Sequence, residues 1–293
     1  MDNPVGFIGL GAIGEPMAEH VAKVHGAVVW NRTVAKAETF ANRTGATAVQ
    51  TAREVVERTK DVITCLPTSA QVLEVVQSVG DAWTDQHLLV DATSGDPAGS
   101  REVAAYLHRY GAGFVDAPVS GGTDGAKAGQ LTVMLGGDEG WAARAMKVID
   151  PYAGKMQHVG PVGAAHALKA VNNALLAVNI QAVGEGLAAL VKLGVKADVA
   201  LDVINASSGR SNVTENLFPK RVVTRAWPRT FRLALLDKDV DVAMKVLKET
   251  GVPSGAIRTA KEAFTAARQA LGEEADHVEF VKEIEKAAGV EIR

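Results

Sequence analysis

The chain has 293 residues, and at about 150 residues per domain that leaves room for two domains, each with its own buried core. With 47% hydrophobic and 22% charged residues it has an ordinary globular composition, which excludes a disordered chain and a small disulfide-stapled scaffold. Thirty-one basic against 34 acidic side chains give a formal net charge of -3, so no basic stripe is available for a run of phosphates and no nucleic-acid partner is expected.

Cys65, the single cysteine, has no internal disulfide partner and fits a reducing compartment, with the cytoplasm as the default. Asp2, Asn3 and Pro4 lead into the first apolar run without the basic stretch that opens an export signal. The longest apolar neighbourhood, around residues 174–190, is broken by Asn172, Asn173, Asn179, Gln181 and Glu185. That is too polar for a bilayer span of about 20 residues. A buried or interdomain helix is expected there, and no membrane partner.

From Val5 to Trp30 the order is a short apolar run, a glycine-rich turn, a helical pattern from Gly14 and a second apolar run at 27–30, which is a βαβ unit. Further runs at 61–66, 87–91 and 114–117 alternate with helical stretches such as 70–79 and 99–110, so the expectation is a parallel, doubly wound sheet. Residues 132–135 and 156–159 read as two more strands flanking a helix over 139–149. After Gly160-Pro161-Val162-Gly163 the β-branched runs stop and alanine- and leucine-rich periodic stretches take over. The fold class is therefore α/β, a doubly wound sheet over residues 1–162 followed by an all-α C-terminal domain over 163–293. Helices are expected at 164–194, 197–207, 233–250 and 254–271, with 209–214 the most loop-like segment of this half.

Gly9-Leu10-Gly11-Ala12-Ile13-Gly14 is a GxGxxG that follows a strand and opens a helix inside a βαβ unit, the context of a Rossmann-type dinucleotide site. The first glycine permits the tight turn, the second lets backbone approach a pyrophosphate, and the third lets helix pack on strand. At the end of the second strand, where NAD-binding chains place a carboxylate for the ribose 2′-hydroxyl, stand Asn31, Arg32 and Thr33. All three can donate to a 2′-phosphate and none repels it, which points to NADP over NAD. Arg32 can also be read as a solvated surface arginine.

Ser120, Gly121 and Gly122 follow Asp116-Ala117-Pro118-Val119 at the carboxyl end of a strand. A hydroxyl beside two exposed N–H groups suits a carboxylate or carbonyl oxygen, and it equally suits a tight turn in which Ser120 caps the next segment. Lys169 and Asn173 stand at i and i+4 on one face of the long helix, with Asn172 beside them, and both are expected to reach an interdomain cleft. A lysine on a helix is ordinarily a solvated charge. Flanked by Ala165, Leu168, Ala170 and Val171, this one is also suited to take the hydroxyl proton during hydride transfer, and the pattern leaves both readings open. The seven histidines are scattered with none paired at i and i+4, so no metal site is expected.

Over essentially its whole length the chain resembles the β-hydroxyacid dehydrogenase family, and within it the 3-hydroxyisobutyrate dehydrogenase group. The resemblance rests on Gly6-Phe7-Ile8-Gly9-Leu10-Gly11 through Met17, the stretch 116–137, Gly163-Ala164-Ala165-His166-Ala167-Leu168-Lys169-Ala170-Val171-Asn172-Asn173, and Phe231 through Asp239. It implies a Rossmann-type domain followed by a helical domain, assembled as a homodimer or homotetramer, that oxidises β-hydroxyacids or reduces the corresponding semialdehydes. It puts the catalytic lysine at Lys169 and the substrate contacts at Ser120, Gly121, Gly122 and Asn173. Cofactor contacts fall on the glycine loop, Leu66, Pro67, Thr93, Ser94 and Lys238, and Asn31-Arg32-Thr33 matches the NADP-preferring branch.

Family members that use 3-hydroxyisobutyrate often carry an aromatic residue shortly after a Ser-Ser-Gly segment, whereas here Ser207-Ser208-Gly209 continues as Arg210-Ser211-Asn212. Arg210 either favours a second carboxylate or hydroxyl on the substrate or is a surface residue. The alternatives on the same residues are an NADPH-dependent reductase of glyoxylate, succinate semialdehyde or tartronate semialdehyde, and a non-catalytic dinucleotide-binding module. Joint retention of Lys169, Ser120 and Asn173 argues against the module, which needs none of them. Lys169 also disfavours an imine reductase, in which that lysine is replaced.

Overall fold

A computed structural model describes residues 4–293, so the lead-in at Asp2 and Asn3 lies outside the described residues. The chain divides into two compact units, the first ending at Lys169 and the second running from Ala170 to Arg293.

The first unit carries β1 (Val5–Ile8), α1 (Gly14–His25), β2 (Ala27–Trp30), α2 (Val34–Thr44), β3 (Thr47–Ala48), α3 (Ala52–Arg58), β4 (Asp61–Thr64), α4 (Ser69–Val79), β5 (Leu88–Asp91), α5 (Pro97–His108), β6 (Gly113–Asp116), β7 (Val119–Ser120), α6 (Gly122–Ala128), β8 (Leu131–Gly136), α7 (Glu139–Ile149) and β9 (Ala153–Gly160). Among the described residues the strands form one sheet in the order β3-β2-β1-β4-β5-β6-β8-β7, with β9 on β8. The first six run parallel, in the doubly wound order. β8 then lies antiparallel to β6 and β7, and β9 parallel to β8, so the two added strands expected from the sequence extend the sheet with its direction reversed.

The central strands are buried on both faces, and their alternation sorts two cores. Phe7, Val29, Ile63, Val90 and Val115 face one side with Met17, Phe40 and Tyr152. Ile8, Val28, Val62, Leu89 and Phe114 face the other with Val76, Trp83 and Leu107. Helix starts are fixed by side-chain caps: Thr51, Thr68, Asp96 and Asp138 each accept a backbone N–H one turn on, and Pro97 follows Asp96 at the first position of α5.

α8 (Ala164–Lys192) starts just after the expected change of texture, and its first turns belong to the first unit. The second unit continues with α9 (Ala197–Asn205), a π-helical segment (Val213–Val223), α10 (Leu233–Thr250), α11 (Gly255–Leu271), a short 3-10 turn (His277–Phe280) and α12 (Val281–Ala288). Its core gathers Ile180 and Leu187 of α8 with Phe218, Leu236, Val240, Phe264 and Phe280, the last two rings stacked at 4.1 Å. Taken by length and composition alone, α8 could cross a membrane, a test that core helices also pass. Ala170, Ala174, Ala177, Ile180, Leu187 and Ala188 instead place it in this core.

The four expected helices are present to within two residues at each end. The loop expected at 209–214 ends at Asn212, and Val213 and Thr214 already belong to the π-helical segment. Pro219 within it has no N–H to donate, so the stretch carries no α-helical signature in the sequence.

Candidate active site

The residues expected at the cofactor follow the carboxyl ends of four neighbouring strands: Gly9 after β1, Asn31 after β2, Leu66 after β4 and Thr93 after β5. β1 and β4 pair directly, and strand order reverses between them, which is where open α/β sheets bind ligands. Within the loop the three glycines differ in kind. Gly9 has φ +103, and a Cβ there would lie 2.3 Å from the Cys65 carbonyl oxygen; a Cβ on Gly14 would lie 2.1 Å from the Gly9 oxygen. Both are required by the fold itself. A Cβ on Gly11 would meet nothing within 4 Å, and the backbone there is not left-handed. Glycine at this position keeps clear a space that no protein atom fills, as a pyrophosphate lying against the backbone requires.

Leu10 is buried in the core, and its main chain ties the loop down: its N–H donates to Asn31 Oδ1 at 3.1 Å and its carbonyl accepts from Lys36 Nζ at 3.0 Å. Ala12 is exposed and Ile13 half-buried. Asn31 Oδ1 is thus committed to the loop while its Nδ2 donates to the Thr33 carbonyl oxygen at 3.2 Å, and Arg32 and Thr33 are exposed. Lys36 escaped the sequence reading because its contact is made across 26 residues.

Thr93 is fully buried and joins three segments. Its N–H donates to Asp91 Oδ1 at 3.1 Å, its hydroxyl accepts from the Leu66 N–H at 3.0 Å, and its carbonyl lies 2.8 Å from His166 Nε2. Thr64 also donates to Asp91 Oδ1, at 2.8 Å. Pro67 is exposed and Ser94 half-buried. Burial pushes the Cys65 thiol up to about 12, with the Asp91 carboxylate adding to the effect, so Cys65 is an inert packing group under the glycine loop.

Asp116, the fully buried last residue of β6, accepts from the Gly163 N–H at 2.8 Å through Oδ1 and from the His166 N–H at 3.0 Å through Oδ2. Burial pushes its carboxyl up, against the opposing pull of His166 and of those two N–H groups. One carboxylate therefore sits four residues before Ser120 and also holds the turn of α8 that leads to half-buried Lys169. Ser120 closes β7 opposite Thr132 of β8, and Gly121 and Gly122 turn the chain at φ +135 and +63. Ser120 does not cap α6, whose N-cap position is taken by Gly121. Around Lys169, Ala165 and Ala170 are buried, Val171 is half-buried, and Leu168 is exposed.

In the second unit Asn173 is 4% exposed and donates from Nδ2 to Asp239 Oδ2 at 2.6 Å, while its Oδ1 accepts from Asn172 Nδ2 at 3.2 Å. Asp239 Oδ1 lies 3.1 Å from Lys238 Nζ. Asn173 and Lys238, expected as separate substrate and cofactor residues, are thus bridged by an aspartate given no role from the sequence, although it directly follows Lys238. Arg210 is 63% exposed at its side chain and pairs with Glu215 at 3.6 Å. Among the described residues no group of three or more His, Cys, Asp or Glu is placed to hold a metal ion.

A doubly wound sheet with a glycine loop shaped for a dinucleotide, continued into a helical unit, defines a nicotinamide-dependent dehydrogenase. Residues 4–160 match the family model described as the NAD binding domain of 6-phosphogluconate dehydrogenase, and residues 163–284 the one described as NAD-binding of NADP-dependent 3-hydroxyisobutyrate dehydrogenase. The chain is 34% identical to 2-(hydroxymethyl)glutarate dehydrogenase of Eubacterium barkeri over 98% of its own length and 97% of the relative's. It is 32% identical to the mitochondrial 3-hydroxyisobutyrate dehydrogenase of Homo sapiens, covering 85% of this chain and 77% of that one. The solved structure of Mycobacterium tuberculosis 3-hydroxyisobutyrate dehydrogenase with L-serine superposes with a TM-score of 0.90 at 30% identity, covering 97% of this chain and 99% of that one. The chain belongs to the β-hydroxyacid dehydrogenase family, oxidoreductases that act on CH–OH groups with a nicotinamide acceptor.

Proposed function

We propose that the protein is an NADP-preferring dehydrogenase of a 3-hydroxyisobutyrate-like β-hydroxyacid, with Lys169 as general acid and base. The observation that carries this reading is the double use of Asp116, which ties the strand end before Ser120-Gly121-Gly122 to the helix turn leading to Lys169. When bound, the nicotinamide supplies the hydride acceptor, or the donor in the reverse direction. The Ser120 hydroxyl and the N–H groups of Gly121 and Gly122 hold the substrate carboxylate. Asn173 keeps one Nδ2 hydrogen on Asp239 and offers the other to a substrate oxygen. In oxidation the C–H hydride leaves carbon, the hydroxyl proton passes to Lys169 Nζ, and a carbonyl forms; in reduction the ammonium returns that proton.

Preference for NADP is supported by Arg32 and Thr33, exposed after β2 with no carboxylate beside them, and by Asn31, whose Oδ1 accepts from Leu10 and whose Nδ2 keeps one hydrogen beyond its bond to the Thr33 carbonyl. The remaining cofactor contacts are assigned to residues 9–14, Leu66, Pro67, Thr93, Ser94 and Lys238. Residues 1–162 then form the NADP-binding domain and 163–293 the domain for substrate and oligomerisation. Assembly as a homodimer or homotetramer would cover Leu175, Leu193, Val199 and Val203, all exposed large apolar side chains. The lone unreactive thiol fits the cytoplasm.

Arg210 favours a second reading on the same residues, an NADPH-dependent reductase whose substrate carries an additional carboxylate, such as succinate semialdehyde, or an additional hydroxyl, such as tartronate semialdehyde. It is exposed and held only by a long ion pair. The relative named for 2-(hydroxymethyl)glutarate, a dicarboxylate, supports the same direction. Absorbance at the reduced-nicotinamide band, with NADP and NAD against a panel of β-hydroxyacids and semialdehydes, tests both readings. Turnover with NADP that collapses in Lys169→Ala is expected. Binding of NADPH without turnover of any panel member would leave a dinucleotide-binding module in its place, and an unchanged substrate ranking in Arg210→Ala would remove the second reading.

A further inference from the structure

His166 is 1% exposed, lies one turn before Lys169 on α8, and has no part in the proton transfer described above. Its Nε2 is 2.8 Å from the Thr93 carbonyl oxygen, which can only accept, so Nε2 carries a proton. In the neutral ring Nδ1 is then an acceptor, and the Ser100 hydroxyl hydrogen goes to it at 2.6 Å rather than to the Asp96 carbonyl oxygen at 3.2 Å. The main-chain N–H of the same residue donates to Asp116 Oδ2. One histidine thus ties α8 to the loop after β5, to α5 and to the end of β6. Through Thr93 Oγ1 the tie extends to Leu66 after β4. The ring lies close over Gly95 in the loop after β5, where an added Cβ would come within 2.9 Å of His166 Cε1, so the glycine there makes the close approach of the imidazole possible.

We infer that His166 is a positioning residue for the dehydrogenase reaction, its imidazole fixing the spacing between the Thr93 loop and the turn of α8 that bears Lys169. The inference rests on the proposed roles of Lys169 and Thr93. Hydride transfer demands alignment of donor, acceptor and base, and a displacement of about 1 Å costs roughly 100-fold in rate. A histidine suits the position because it donates on one side and accepts on the other with a rigid ring between. Glutamine has the same donor and acceptor with similar reach, and leucine has neither.

The test uses the full-length enzyme and the substrate found with the panel, comparing His166→Leu, His166→Gln, Ser100→Ala and Lys169→Ala. The readouts are kcat, KM, the NADPH dissociation constant by fluorescence, and the primary isotope effect with C4-deuterated NADPH. His166→Leu is expected to lower kcat about 10- to 100-fold, with NADPH affinity changed less than about 3-fold and a larger isotope effect as hydride transfer becomes limiting. His166→Gln should recover to within about 5-fold of wild type, and Ser100→Ala should lose about 3- to 10-fold. A purely structural role would reduce the folded fraction and leave the isotope effect of the folded enzyme unchanged. Wild-type kcat and isotope effect in folded His166→Leu overturn the inference, as they do in Ser100→Ala if the leucine variant does not fold. A glutamine variant no better than the leucine one overturns it too. Wild-type activity in Lys169→Ala, or no turnover by wild type, removes the catalytic reading beneath it, and the inference falls with that reading; an inactive Lys169→Ala beside an unaffected His166→Leu removes the inference alone.

Discussion

Gly11→Ala separates a glycine kept for a ligand from glycines kept for the fold. The added methyl meets no protein atom within 4 Å and the backbone is already compatible with alanine. The apo protein should therefore be unchanged or gain about 0.4–1 kcal/mol, the usual return for restricting the unfolded chain at an unstrained site. On the proposed cofactor assignment the same methyl stands where the pyrophosphate approaches the backbone. At a concentration 100 times its dissociation constant, NADPH stabilises the wild type by about 2.7 kcal/mol; a 100-fold loss of affinity leaves about 0.4 kcal/mol at the same concentration. For a protein of this size that is a thermal shift of roughly 5–10 °C in the wild type against about 1 °C in the variant. Gly14→Ala is the control, since its methyl would sit 2.1 Å from the Gly9 carbonyl oxygen and should lower the apo melting temperature whatever the ligand does. Differential scanning fluorimetry with and without NADPH reads all three proteins. A stable Gly11→Ala whose NADPH affinity stays within 2-fold of wild type would refute the assignment of that space to the cofactor.

Arg32→Ala should lower the ratio of kcat/KM with NADP to that with NAD by about 10- to 100-fold, the range of one charge-assisted bond to a phosphate; steady-state kinetics with both cofactors check it, and an unchanged ratio returns Arg32 to the solvated surface. Asp116→Ala leaves the Gly163 and His166 N–H groups without their acceptor, at about 1–3 kcal/mol for each buried donor, so a lower urea midpoint and a lower kcat should appear together. In the second unit, burial acts to raise the Asp276 carboxyl, but the His277 ring and the N–H groups of Phe231 and Thr230 outweigh it and hold the group well below its ordinary value. Its stabilising contribution is then complete above the unfolded value of about 3.9 and is lost as pH falls toward the depressed folded value. The urea-midpoint gap between wild type and Asp276→Asn should narrow as pH falls from 5 toward 3.5, and a gap of constant width over that range would contradict this.

What the sequence made legible was whatever is encoded locally. Gly9, Gly11 and Gly14 announce a backbone geometry by their spacing, and α10 announces itself by 18 residues of unbroken helical periodicity. β3 and β7, two residues each, are too short to show any alternation, and the π-helical segment follows neither helical nor strand period. At the site, Lys169 and Ser120 were visible as candidates, but their residues alone left each with a bland alternative. The residues that went unassigned are those whose contacts close over long separations. Lys36 reaches Leu10 across 26 residues and Asp239 reaches Asn173 across 66. Asp116 opened a recognised motif, yet its bonds to Gly163 and His166, 47 and 50 residues on, exist only in the folded chain.

Those long closures share a chemistry. Asp91 and Asp116 are the last residues of neighbouring strands and stand opposite each other in register. Two adjacent carboxylates inside a sheet are costly unless they are hydrogen-bonded, and here Asp91 Oδ1 accepts from Thr64 and Thr93, while the two oxygens of Asp116 accept from Gly163 and His166. At Asp116, where both oxygens accept from main-chain N–H groups, a carboxylate suits because it offers only acceptors, whereas asparagine would turn an NH2 group toward one of those N–H groups. The strand ends thereby act as anchors rather than as reagents. They hold the Thr93 loop and the first turn of α8, on either side of the residues proposed to meet the substrate, Ser120 and Lys169.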